Sequence, residues 1–205
     1  MKHIAIAGNI GAGKTTLTTL LAKHFNWQPH FESVDQNPYL TDFYNDMSRW
    51  SFNLQVYFLN NRLSQLLDIK SSKTPIIQDR TIYEDAKIFA PNLYEMGLMT
   101  ARDYENYATF FDTISKMIPP PDLTVYLKAG IPKLVDQIQK RGREYEDNIR
   151  LDYLKRLNTQ YDLWADEYTD GELLIVNIDD LDFANNEEDF AHIADLVDAR
   201  VNGLF

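Results

Sequence analysis

The chain has no cysteine among its 205 residues, which excludes disulfides and thiolate metal sites. Basic residues are outnumbered, with 20 Lys and Arg against 31 Asp and Glu and a formal charge of −11. Such a surface repels polyanions, so nucleic acid polymers and anionic membranes are poor partners, and any bound phosphate must be met by a local device. No apolar run approaches the roughly 18 residues that a membrane-spanning helix needs. The opening "MKHIAIAG" has too short an apolar stretch for a secretory signal; a soluble cytoplasmic protein is expected. Repeats, Gly/Ser linkers and low-complexity blocks are also missing, and the three prolines at 119–121 read as one rigid connection. With 44% apolar residues, residues 1–205 are expected to form one domain with a full core.

Glycine is sparse as well, at eight residues, yet three of them stand at positions 8, 11 and 13. Gly8-Asn9-Ile10-Gly11-Ala12-Gly13-Lys14-Thr15 fits G-x-x-x-x-G-K-[ST] at every fixed position. In this pattern glycines let backbone N–H groups curl around phosphates, the following helix adds its positive end, Lys14 reaches the outer phosphates, and the Thr15 hydroxyl suits Mg²⁺. Thr16 continues the helix start. The short apolar run Ile4–Ala7 before it reads as a buried parallel strand, and Leu17, Leu20, Leu21 and Phe25 recur at helical spacing after it. A nucleoside triphosphate site follows. Asn-Lys-x-Asp, the usual guanine-reading tetrapeptide of GTPases, is absent.

Along the rest of the chain, strands are predicted at Pro29–Glu32, Thr74–Arg80, Asp122–Ala129 and Glu172–Asp179. Helices are predicted around Tyr39–Asp46 and over Trp50–Ile69, Tyr83–Leu93, Thr100–Met117, Ile131–Arg141, Leu151–Trp164 and Asn186–Val201. In the Trp50–Ile69 helix, Phe52, Leu59, Leu63, Leu66 and Leu67 are expected to face the core. Alternating strands and helices imply an α/β fold: a parallel sheet, five-stranded here, covered by helices on both faces.

Several polar residues fall where such a sheet binds ligands, beyond the C-terminal ends of its strands. Glu32 follows a strand and suits the proton acceptor for an attacking hydroxyl; a solvated or helix-capping acid is the other reading. Asp79 and Arg80 suit a metal ligand and a phosphoryl-charge partner, or else a strand-end ion pair. Gln55 and Arg62 lie two turns, roughly 10 Å, apart on one helix face, with Asp85 and Phe89 on another. Together they suit the edge and face of a planar heterocycle, or alternatively an internal Arg62–Asp85 pair with Phe89 in the core. The basic knot Lys140-Arg141-Gly142-Arg143 reads as a solvated helix end or as a lid, about residues 140–147, whose arginines close over a triphosphate. Asp182 and Phe183, after the last strand, suit the edge of an adenine ring, or else belong to an exposed acidic loop.

These residues resemble the deoxyribonucleoside kinase family, in particular its bacterial deoxyadenosine/deoxyguanosine kinase branch. The likeness runs in order through the phosphate loop, "FES" (31–33), "RWSFNLQVYFLNNR" (49–62), "DRTIYEDAKIFAPNLYE" (79–95), "YLKA" (126–129), "KRGREYE" (140–146) and "LDYLKRLN" (151–158). It implies a P-loop kinase fold with an arginine-bearing lid, ATP as donor and Mg²⁺. It implies Glu32 as general base, Gln55, Phe89, Arg62 and Asp85 around the nucleoside base, Tyr44 and Glu146 on the 3′-hydroxyl, and Arg141 and Arg143 in the lid. The family's Asp/Glu-Arg-Ser motif appears as Asp79-Arg80-Thr81, with threonine in place of serine. The Arg62–Asp85 pair goes with purine and deoxycytidine acceptors rather than thymidine. A homodimer is implied too, for which aromatic residues of the Trp50–Ile69 and Thr100–Met117 helices would serve, unless they are core. Two rivals stay open: a thymidylate-kinase-like nucleoside monophosphate kinase, and a non-catalytic interaction protein on the same fold.

Overall fold

The computed structural model describes residues 2–32 and 37–203. Five parallel strands form one sheet: β1 (His3–Gly8), β2 (Gln28–His30), β3 (Ile76–Asp79), β4 (Leu123–Lys128) and β5 (Glu172–Asn177), in the spatial order β2-β3-β1-β4-β5. The first strand is therefore central, with Ile4 beside Ile77 of β3 on one flank and Leu123 of β4 on the other. From β1 the chain runs out to the edge strand β2 and then back across the sheet through β3 to β4 and β5, so the connections that leave β1 and β4 diverge, and the crevice at that switch point is where ligands enter such sheets.

All of β1 is buried, as an apolar strand covered on both faces must be. Ile4, Ile6, Val125 and Leu127 pack on one side with Leu17 and Leu21 of α1 (Lys14–Phe25) and Ile193 and Val197 of the C-terminal helix (Glu187–Asn202). Ala7 and Tyr126 face the other side, against Phe43, Leu54, Ile88, Leu157 and Tyr161. Among the described residues, no helix is long and apolar enough to cross a membrane.

The second predicted strand ends at His30, leaving Glu32 beyond it. Pairing on one side only, to β3, sustains just three rungs at this sheet edge. The predicted Trp50–Ile69 helix extends over Met47–Ser71, because the Asp46 side chain caps it by accepting from the Arg49 N–H. Leu67 is 58% exposed, contrary to the predicted core face, whereas Gln55 and Arg62 are buried beside Leu54, Leu59 and Leu66. Of the other predicted core residues, Leu59 and Leu66 are buried and Phe52 and Leu63 pack against them; apolar periodicity misses Gln55 and Arg62 because Arg62 turns inward onto polar partners from other elements and Gln55 onto the cavity.

The helix predicted over Tyr83–Leu93 spans Ile82 to Glu95, but Asp85–Phe89 form a π-helical turn between Ile82–Glu84 and Ala90–Glu95. The Ala90 N–H bonds back five residues to the Asp85 carbonyl, and Pro91 has no N–H with which to continue a four-residue ladder. Such turns re-aim side chains, often at functional sites; here they are Asp85 and Phe89.

Candidate active site

One cavity of about 570 Å³ opens at the switch point, with Gly11, Lys14 and Thr15 at one end and Gln55, Asp85 and Phe89 at the other. The size suits a nucleoside and phosphates rather than a polymer.

At the first end the chain turns from Gly8 through Gly13 into α1, whose N-terminus has no side-chain cap and no acidic residue in its first turn. Its orphan N–H groups and positive end are thereby left for an anion. Gly11 has φ of 87° and lies so close to the next segment that an added Cβ would sit 2.7 Å from the Leu134 carbonyl; at Gly13, φ 81°, it would sit 2.9 Å from Phe183. Ile10, Thr16, Asp182 and Phe183 also line this end. Gly8, Asn9 and Ala12 lie behind it: Asn9 donates to the Leu154 carbonyl and to Asn158, fastening the loop to helix Leu151–Asp166.

Lys14 is buried and donates to the Asn9 carbonyl at 3.0 Å. Burial, seconded by the nearby Arg80 guanidinium, lowers its pKa to about 7; an anionic phosphate would restore the charge that burial disfavours. The Thr15 hydroxyl donates to Asp79 Oδ2 at 2.5 Å, while Asp79 Oδ1 is buried with no hydrogen-bond partner. A hydroxyl beside an unsatisfied carboxylate oxygen fits Mg²⁺, which takes few protein oxygens and fills its shell with phosphate and water. Among the described residues no cluster of three acidic or histidine side chains offers a fuller cage.

In the middle stand Glu32 and Arg80. Glu32 Oε1 accepts from Arg62 Nη2 at 2.8 Å and lies 3.6 Å from Arg80 Nε. Burial pushes the Glu32 carboxyl up, but Arg80, Arg62 and Lys14 together hold it below the usual carboxylate value, so it is ionised. Arg80 has φ of 65°, a costly left-handed conformation outside glycine, and its guanidinium lies 4.4 Å over the Phe89 ring.

At the far end Arg62 is 2% exposed and does not line the cavity. Its donors go to Asp85 Oδ2 at 3.0 Å, the Asp79 carbonyl at 3.2 Å and Glu32. The internal Arg62–Asp85 pair is thus present, and Asp85 also faces the cavity. Burial raises Asp85 to about 6, with Arg62 opposing the shift. Gln55 Oε1 is buried without a hydrogen-bond partner and belongs to the lining, so an amide or amine of a ligand would satisfy it.

Tyr44 and Glu146 line the same cavity, although they come from distant segments. Arg141 is bonded to Glu146 through both Nε, at 3.0 Å, and Nη2, and Arg143 Nη1 lies 3.8 Å from it. Both arginines border the cavity, held at its rim by this one carboxylate. Lys140, exposed and paired with Asp136, borders the cavity as well. Ser33 of the Phe-Glu-Ser motif lies outside the described residues.

Sequence reasoning missed the apolar walls Leu40, Phe43, Phe58 and Tyr153, and a fully buried carboxylate, Glu84. Glu84 accepts from the Thr81 N–H at 3.0 Å, the Gly8 N–H at 3.2 Å and the Tyr161 hydroxyl at 2.7 Å. Thr81-x-x-Glu84 is a capping-box spacing, which was the available signal.

A deoxynucleoside kinase family profile matches residues 4–202. A deoxyadenosine/deoxycytidine kinase of Bacillus subtilis is 37% identical over 95% of this chain and 90% of its own length. A deoxyguanosine kinase of the same organism is 36% identical over 93% of each. Among solved structures, a deoxyadenosine kinase from M. mycoides with dCMP and a flexible dCDP bound superposes with a TM-score of 0.85 at 29% identity, covering 98% of this chain and all of that one; the same enzyme with dATP also scores 0.85. The chain belongs to the deoxynucleoside kinase family and is a phosphotransferase of the α/β P-loop kinase fold.

Proposed function

We propose that this chain transfers the terminal phosphoryl group of ATP to the 5′-hydroxyl of purine deoxyribonucleosides, deoxyadenosine first, with deoxycytidine accepted and thymidine poor. The observation that carries this reading is the ionised Glu32, held with Arg80 midway between a phosphate loop and an apolar chamber ending in Asp85 and Gln55. The names of the relatives, which include deoxyadenosine, deoxycytidine and deoxyguanosine kinases, support the substrate range.

In this reading Glu32 takes the 5′-hydroxyl proton as that oxygen attacks the γ-phosphorus and the bond to the β-phosphate oxygen breaks, releasing ADP. Lys14 and Arg80 offset charge on the transferring group, and no covalent enzyme intermediate is needed. Thr15 and Asp79 would hold Mg²⁺, which supplies charge neutralisation at the phosphates when bound. Phe89 stacks on the base, Gln55 and Asp85, backed by Arg62, read its edge, and Tyr44 and Glu146 take the 3′-hydroxyl. Asp182 and Phe183 border the donor's adenine, while Arg141 and Arg143 close the rim over its phosphates. The exposed Phe110 and Met117 towards the end of helix Ala101–Ser115, which packs on helix Met47–Ser71, support a homodimer through these two helices.

An assay with Mg·ATP and five acceptors, namely deoxyadenosine, deoxyguanosine, deoxycytidine, thymidine and deoxyadenosine monophosphate, tests the reading. Phosphorylation of the purine nucleosides is expected. Activity confined to the monophosphate, or none, overturns it.

A further inference from the structure

We infer that Glu84, acting through the Tyr161 hydroxyl, is the positioning residue for Arg80 and registers it against the first glycine of the phosphate loop. The inference rests on the phosphoryl-transfer reading of the cavity given above.

The hydrogen bonds run in one direction. Arg80 Nη1 donates to the Tyr161 oxygen at 3.2 Å, and that hydroxyl donates to Glu84 Oε2 at 2.7 Å. The same Oε2 accepts the Gly8 N–H at 3.2 Å, while Arg80 Nη2 reaches the Gly8 carbonyl at 3.4 Å. Both polar groups of Gly8 are thus tied to Arg80, one directly and one through the carboxylate. Glu84 Oε1 accepts the Thr81 N–H, pinning the residue that follows Arg80.

A cap alone does not account for this arrangement. Closing the helix start at Thr81 occupies only Oε1, yet Glu84 is 0% exposed, and a buried carboxylate is costly unless its oxygens are engaged. Arg80 needs such a partner for two reasons. Its left-handed backbone is strained and persists only where the surroundings over-determine it. Its nearest carboxylate, Glu32, loses its charge when it takes the hydroxyl proton, at the moment Arg80 must stay aimed at the transferring phosphoryl group. Glu84 lies outside that proton transfer and holds the guanidinium throughout.

Tyr161→Phe is the sharper test, because the ring is held independently, stacked on Tyr126 with centroids 5.6 Å apart, and only the hydroxyl is removed. At saturating ATP, kcat for deoxyadenosine is expected to fall about 10- to 100-fold, as for a misaimed catalytic group, with nucleoside KM little changed. In an Arg80→Lys background the same substitution is expected to cost almost nothing further, because what it positions is gone. Glu84→Gln, which keeps shape but not charge, is a second arm and should show the same coupling. Unchanged kcat in Tyr161→Phe, or losses that multiply in the double variants, overturn the inference, as does a fall in melting temperature alone. If the unsubstituted chain phosphorylates no deoxynucleoside, the functional reading fails with it; if it does so and the coupling is absent, only the role of Glu84 fails.

Discussion

The donor end of the cavity draws the backbone that faces the phosphates from one unbroken stretch, Gly8 to Thr16, with a few side chains added from elsewhere, whereas the acceptor end gathers Glu32, Gln55, Arg62, Arg80 and Asp85 from segments that meet only in the folded chain. The donor end works mainly through backbone N–H groups aimed by glycines and a helix end. The acceptor end works through side-chain charges that would each be costly if buried alone. Arg62 is shared by Glu32 and Asp85, and Arg80 by Glu32, Tyr161 and Gly8. A contiguous loop therefore takes most of its shape from its own sequence, while a shared-charge network answers to every member.

The largest effect should come from the donor end. Lys14→Met is expected to lower kcat roughly 10³-fold, the range for losing a preorganised charge at a developing anion. Nucleoside binding, followed by calorimetry without ATP, should survive if the two ends are separable. Glu32→Gln should lower turnover roughly 10²-fold or more with little change in nucleoside affinity; unchanged turnover in steady-state kinetics removes Glu32 as the proton acceptor.

Substitutions within the acceptor network should separate stability from recognition. Arg62→Met strands the buried Asp85 and takes from Glu32 one of its two guanidiniums, and should destabilise by about 3 kcal/mol in denaturant titration, in line with breaking a buried ion pair. Adding Asp85→Leu should restore part of that stability but leave nucleoside KM high. Recovery of both would mean that the pair serves packing only.

The smallest effect is a pH step. Asp85, raised to about 6 by burial, is ionised above that pH and protonated below it. Nucleoside KM is thus expected to rise by up to about tenfold as pH falls from 7 to 5. The acid limb of kcat should lie lower, because Glu32 is held below the ordinary carboxylate value. Asp85→Asn should abolish the KM step, and its persistence would assign the step to another group.

The same contrast governs what the sequence reveals. Strand β1 is readable because both of its faces are covered, which forces the continuous apolar run Ile4–Ala7, and β3 and β4 show shorter runs, Ile76–Ile77 and Val125–Leu127, for the same reason. The phosphate loop is readable because its spacing is its geometry. On helix Met47–Ser71 the rule holds for Leu59 and Leu66 and fails elsewhere. Leu67 looks like core and is exposed, while Gln55 and Arg62 look like surface and are buried, since Arg62 meets carboxylates from other elements and Gln55 meets the cavity. Their place was suggested by a spacing of two helical turns between polar residues and by resemblance to a family, not by the apolar pattern. The π-helical turn at Asp85–Phe89 was hidden too, because it depends on the missing N–H of Pro91 within a segment whose residues otherwise suit an ordinary helix.

By itself the sequence determined the donor loop, the apolar strands that place it at the centre of a sheet, and an inventory of carboxylates and guanidiniums. Only the tertiary structure decided which carboxylate meets which guanidinium. Glu84 and Asp85 are adjacent acids, equivalent on paper, yet Glu84 reaches Tyr161 and Gly8 while Asp85 reaches Arg62 and the cavity. The reason is geometric: successive side chains on a helix point about 100° apart. One residue of offset there sends the two carboxylates to different partners, and the partners come from strands and helices far away in the chain.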